Sequence, residues 1–315
     1  MGSLPKRMKR ISNSTGEQVS VWKRIVYYRD SYMLIAPFML LFALLTVIPI
    51  VAAIGLSFTS FNMLEMPRFI GWQNYQRMFL DDPIFFKVVK NTLIFALVTG
   101  PLGYIMSFLF AWLINETGRL MRTILTVIFY MPVLAGNIYF VWAFLLSADS
   151  NGIINGWLMQ MGFIQEPIGW LIDQNLMLPS LMVVQLWMSL GTGFLAFIAG
   201  FQSMDNKLFE AGAIDGIKNR WQELWYITLP SMSNQLLFSA VMQISASFGA
   251  SAIIITLVGF PTSQYNADTI VTYIMDIGTT RFEMGYACTL AVFLFTLMLL
   301  ANFVFTNMLR RFQAD

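Results

Sequence analysis

Few residues of this chain could carry chemistry, since only 11% are charged and none is histidine. A His-ligated metal site and His-based acid–base catalysis are therefore excluded. The single cysteine, Cys288, excludes an internal disulfide and, within an apolar run, reads as a small packing residue. No Gly-rich loop of the GxxxxGK[ST] type occurs, so any chemistry on ATP must belong to another chain. The densest polar stretch is Glu210 to Pro230, EAGAIDGIKNRWQELWYITLP, set between two apolar runs. Its spacing predicts two short helices that break at Gly216, because glycine reaches positive φ without a Cβ penalty. Pro230 then cannot continue a helix from within. Glu210, expected near the start of the first helix, can oppose that helix's positive end for about 0.3–1 kcal/mol, or pair with a basic residue on a partner. Ala211 and Gly212 are small enough for a partner surface to approach the backbone, while Trp221, Leu224 and Trp225 anchor the second helix under a membrane. The plainer alternative is an amphipathic connector on the bilayer surface, with Glu210 and Asp215 as helix-end stabilisers.

A second group of candidates is uncharged. Gln185, Trp187, Ser189 and Thr192 fall in one apolar run, Gln243, Ser245 and Ser247 in another, and Asn302 in a third. A polar residue inside a membrane span is expensive unless it is paired or faces a cavity. These side chains can therefore serve a neutral hydrophilic ligand, with Trp187 stacking on a ring, or simply tie helices together. The absence of charge within these runs argues against a transported ion or an acidic substrate neutralised in the membrane. The runs SLGTGF (189–194) and SFGAS (247–251) supply small residues for close helix contacts.

The elements that must position these groups are membrane helices. With 57% hydrophobic residues and a mean hydropathy of +0.65, the chain is too apolar for a soluble domain of its length. The net charge of +2 carries no message about nucleic acid. Residues 1–31 read as a basic tail leading into a short interfacial helix with Trp22, Tyr27 and Tyr28, and no cleavable signal peptide is evident. Six spans are expected near residues 32–59, 89–115, 123–147, 177–201, 232–258 and 284–309. Each approaches or exceeds the ~20 residues that a hydrocarbon core requires. Pro37 is expected at the entry of the first span and Pro49 at a kink. Asn91, Thr92, Gly100 and Pro101 make the second span a poor lipid-facing helix and suit it to the inside of a bundle. Placing the tail, the 116–122 turn, the polar shelf and the C-terminus on one side collects 14 Lys and Arg there and leaves five opposite. The positive-inside rule then puts the shelf and both termini in the cytoplasm.

The shelf resembles the EAA loop of ATP-binding-cassette (ABC) importer permeases, in which Glu-Ala-Ala precedes Asp-Gly-Ala and an ending Ile-x-Leu-Pro. Glu210, Ala211, Asp215, Gly216, Ile227, Leu229 and Pro230 match; Gly212 stands where Ala is usual, Ile217 replaces the Ala after Asp-Gly, and one residue is inserted before Leu-Pro. A second resemblance lies in Phe69, Gly71, Asn74 and Tyr75, followed by Asp82, Pro83, Phe85, Asn91 and Thr92. Together they make residues 32–311 similar to the sugar-transporting, maltose-type permeases. The resemblance implies an all-α polytopic membrane protein of six transmembrane helices with the type I importer permease fold, residues 205–230 forming its cytoplasmic coupling loop. Glu210, Ala211, Gly212, Asp215 and Gly216 would then contact a cytosolic ATPase dimer, which binds ATP and Mg. The chain itself would be no enzyme and hold no cofactor. A second homologous permease subunit, an external solute-binding protein, a sugar or oligosaccharide and the bilayer of a bacterial plasma membrane complete the implied partners; nucleic acid is not among them. A permease for glycerol phosphate or a polyamine would favour buried charges, and an ion-coupled secondary transporter would need intramembrane acids. The spans contain neither.

Overall fold

A computed structural model describes residues 27–136, 138–150 and 152–314 of the chain. The basic tail up to residue 26, with Trp22, lies outside the described residues. Helix α1 (Arg29–Leu56) belongs, up to Gly55, to one compact unit, and the chain from Leu56 onward forms a second unit. Pro37 lies well inside α1 and not at its entry, because the helix already begins at Arg29. Pro49 is accommodated without a break: the preceding turn widens into π geometry over Ala43–Val47. Such a bulge relieves the clash of a proline ring with the carbonyl four residues back.

The second unit opens with a two-stranded antiparallel ribbon, β1 (Thr59–Ser60) and β2 (Arg68–Phe69), in register Thr59 to Phe69. A one-turn helix α2 (Gln73–Gln76) follows and continues as a π turn to Asp81. Helix α3 (Phe85–Asn115) is the hub, since residues from it enter all three apolar clusters of the bundle. Near its start, Phe85, Val88 and Ala96 pack with α13 (Ile270–Met275) and α14 (Met284–Ala314). Near its end, Phe108, Ala111 and Ile114 meet Phe194, Phe197 and Phe201 of α8 (Thr192–Ser203). Phe95 joins α7 (Met177–Trp187) and α12 (Ala252–Leu257) through Leu181, Val184 and Ile254. Asn91, Thr92 and Gly100 are buried, as their polarity and small size predicted for a helix inside a bundle. In hydrocarbon this packing draws on dispersion and interhelical hydrogen bonds, because lipid tails are as apolar as the side chains they contact.

The expected third span is bent. Helix α4 (Arg119–Leu134) and helix α5 (Tyr139–Leu145) meet at 88°; Pro132 lies in the last turn of α4, and Gly136 just beyond it takes φ +63°. Helix α6 (Ile153–Gln160) occupies the following connection. The fourth span is the pair α7–α8, interrupted at residues 188–191. Two short helices, α9 (Asn206–Ile214) and α10 (Arg220–Glu223), form the shelf. The expected fifth span divides into α11 (Ser233–Phe248) and α12, separated at Gly249–Ser251. Thus SLGTGF and SFGAS both fall at breaks in their spans. Among the described residues, four helices are long and apolar enough to cross a membrane, or five if α4–α5 is one span.

Candidate functional site

The shelf begins with a capped helix. Asp205 Oδ1 accepts the Lys207 N–H at 3.0 Å, satisfying one orphan donor of the α9 N-terminus. That placement moves Glu210 into the second turn, so the helix start expected beneath its carboxylate is four residues further back. Asp215 is the C-cap residue, where the helix's partial negative charge disfavours a carboxylate. Neither acid stabilises the helix end it was expected to serve. Gly216 breaks the helix at φ +93°, and Asn219 caps α10 by accepting the Gln222 N–H at 2.9 Å. A π turn at Leu224–Thr228 takes up the inserted residue before Leu229-Pro230, since a π turn holds one residue more than an α turn.

Glu210, Ala211, Asp215 and Gly216 are exposed, and Ile214 keeps 87% of its surface. Gly212 instead faces inward: a Cβ there would lie 2.6 Å from Ile227 Cδ1 and 3.0 Å from Ile217 Cδ1. Its small size lets α9 seat on the π turn, which explains why Gly replaces the usual Ala, and it leaves Gly212 no face for a partner. Behind the shelf is a cavity of ≈ 540 Å³, and Glu210, Glu116, Glu223, Arg122 and Arg220 contribute to its wall. Arg220 bridges Glu223 at 2.7 Å and Glu116 at 3.1 Å. The hydrogen bond to Glu223, then the charges of Glu116 and Glu223, raise the Arg220 guanidinium above its ordinary value. Trp221 leans on Trp112 of α3 at 5.3 Å between ring centroids. The shelf is therefore fastened to the end of α3 through Glu116 and Trp112, while Ile214 and Asp215 are left exposed.

The uncharged candidates divide. Ser189, Gln243 and Ser247 are buried beside small residues of α3. Gln243 Nε2 donates to Thr99 O at 3.2 Å, and Ser107 Oγ donates at 3.0 Å to Ser189 O, a carbonyl at the α7–α8 break that also accepts the Gly191 N–H at 2.8 Å. Ser239, which sequence reasoning missed, donates to Gly193 O at 2.9 Å. Ser245 and Ser247 bond within their own helix, to Val241 O and Ile244 O. Trp187 stands edge-on to Trp142 at 5.6 Å, Gln185 is buried, and Asn302 Oδ1 is buried without a hydrogen-bond partner among the described residues. The packing partners on α3, Thr99, Gly103 and Ser107, carried a visible signal in sequence: polar and small residues at helical spacing in an apolar run. Among the described residues no cluster of three metal-ligating side chains occurs.

Residues 99–314 match the family model of the binding-protein-dependent transport system inner membrane component. The chain belongs to this family. It is a multi-pass permease of an ABC transport system, and not an enzyme. The permease is 31% identical over 269 residues to the probable ABC transporter permease protein YesP of Bacillus subtilis, covering 82% of this chain and 84% of that one. It is 26% identical to the lactose transport system permease protein LacF of Rhizobium radiobacter, over 68% and 71% of the two chains. Its fold is shared with a chain of a bacterial alginate ABC transporter, solved in complex with an alginate pentasaccharide-bound periplasmic protein. That likeness has a TM-score of 0.74 at 23% identity and covers 93% of this chain and 98% of the other.

Proposed function

We propose that the permease forms half of a sugar or oligosaccharide importer and that its shelf is the coupling element for a cytosolic ATPase dimer. The observation that carries this reading is the shelf itself: a capped two-helix unit, braced on α3, that exposes Glu210, Asp215 and Ile214. A rigid contact can convert closure of soluble subunits into helix movement, and a loose connector cannot. Glu210, Ala211, Asp215 and Gly216 supply the outward face, with Gly212 supporting it from within. The carbohydrate class rests on the relative named for lactose and on the uncharged character of the spans. The periplasmic protein of the alginate complex supports a solute-binding protein as an external partner.

On this reading the spans number six, with α4–α5 the third and α11–α12 the fifth. Broken helices are tolerated at membrane depth where they are buried in protein or line a cavity. Residues 32–311 are the permease domain, 205–230 its coupling loop, and 1–31 a cytoplasmic tail. The bias of 14 cations against five supports both termini and the shelf lying on the cytoplasmic side of a bacterial plasma membrane. Six spans supply one wall of a path, and a second, homologous permease supplies the other. Gln185, Trp187 and Asn302 are the path residues with polar or aromatic groups uncommitted to α3. Ser189, Gln243, Ser245 and Ser247 line it only where their helices part.

Gentle detergent extraction of tagged wild type and Glu210→Ala, with mass spectrometry of what co-purifies, tests the reading. A P-loop ATPase and a second permease should accompany wild type, and the ATPase should be depleted in the variant. Recovery of neither with wild type would return the shelf to an amphipathic connector.

A further inference from the structure

The motif Asp82…Asn91-Thr92 has no part in the shelf or the path, yet its side chains organise the opposite end of the bundle. Asn91, 7% exposed, donates through Nδ2 to three main-chain carbonyls: Tyr265 O and Asn266 O at 3.1 Å and Asp268 O at 3.0 Å. Next to it, Thr92 Oγ1 accepts the Ile270 N–H at 2.8 Å, an orphan donor in the first turn of α13. Asp82 Oδ1 caps the approach to α3 by accepting from Ile84 N and Phe85 N, while Oδ2 accepts the Tyr273 hydroxyl at 2.7 Å and the Tyr286 hydroxyl. Lys87 Nζ reaches Gln264 O at 2.6 Å. Burial, then the hydrogen bond and charge of Asp82, raise the Tyr273 phenol, which keeps it a donor. These contacts join α3 to residues more than 170 positions away.

The clamped segment is strained. Gln264 and Tyr265 are consecutive non-glycine residues at φ +52° and +56°, a left-handed pair that persists only where its surroundings over-determine it. The carbonyls that Asn91 collects come from this stretch and its continuation.

We propose that Asn91, with Thr92 and Asp82, is a positioning residue of the transport cycle: it fastens segment 262–273 to α3, so that the segment and this end of α3 move as one body and the segment is not a lid. The inference rests on the transport reading above. If no ATPase co-purifies, that reading fails before any distance is measured.

The test uses the transporter as isolated from its membranes with its native partners. Spin labels are placed at Lys90→Cys on α3 and Ser263→Cys on the clamped segment, both exposed positions, with Cys288→Ala removing the native thiol. Their separation is read without nucleotide and after vanadate trapping, with trapped ADP on the ATPase confirming the change of state. The expected distance distribution is the same in both states. In Asn91→Asp, which keeps the shape but turns an acceptor toward the three carbonyls, it should broaden and become nucleotide-dependent. A wild-type separation that changes by more than about 5 Å on trapping would overturn the proposal, as would an Asn91→Asp distribution identical to wild type. Should Asn91→Asp fail to fold, the wild-type comparison decides alone.

Discussion

Adding a single methyl group to α3 at Gly103 should be felt throughout the bundle. A Cβ there would overlap the Gln243 amide and lie 2.8 Å from Ser189 Cβ, wedging α3 away from both α11 and the α7–α8 break. Overpacking of this kind costs about 1–3 kcal/mol. Displacing Gln243 also removes its bond to Thr99 O, an interhelical hydrogen bond worth about 0.6 kcal/mol on average in membranes. Against these stands the gain of about 0.5–1 kcal/mol for replacing a mid-helix glycine with alanine. The balance for Gly103→Ala is a loss of about 1–3 kcal/mol. Gly100→Ala, one turn earlier, meets only the Ser247 hydroxyl at 3.3 Å, which can rotate away, so the helix gain should leave it near neutral. Equilibrium unfolding of the purified full chain in mixed micelles, followed by tryptophan fluorescence, compares the two. Equal stability of both variants would refute the assignment of α3 as a closely packed hub.

Asp205→Ala removes the α9 cap and should cost about 1 kcal/mol locally, seen as faster hydrogen exchange across Asn206–Ile214 with the bundle unaffected. A double-mutant cycle on Arg220 and Glu116 should return a coupling of only about 0.2–1 kcal/mol, falling with added salt, because the pair is largely exposed. Gly212→Val, with a side chain growing toward Ile227 and Ile217, should lift α9 and lower ATPase recovery, whereas Ala211→Ser on the exposed face should leave α9 seated.

Most of the architecture was legible because hydrocarbon imposes simple rules. The uncharged stretch from Ser31 to Leu64 and the apolar runs after it announce helices, and the polar residues of α3 announce its burial. What was not legible is where spans break. Gly249–Ser251 and residues 188–191 looked like small-residue helix faces, because glycine serves close packing and helix interruption alike. The shelf's two helices and its Gly216 turn could be read from residue types, yet the start of α9 could not. Asp205 as its cap became visible only once the chain direction before Asn206 was known. The inward turn of Gly212 depended on Ile227, which belongs to the π turn Leu224–Thr228 and not to either short helix of the shelf. The clamp at Asn91 was visible as a motif without a purpose, since its acceptors lie on main chain far along the sequence.

The most direct test of the coupling assignment is a photo-activated benzoyl-phenylalanine at position 214, where Ile214 is 87% exposed, irradiated in intact native membranes. The account predicts a covalent adduct to a P-loop ATPase subunit, strengthened or weakened by nucleotide trapping. Adducts to lipid alone, with no ATPase recovered, would contradict it.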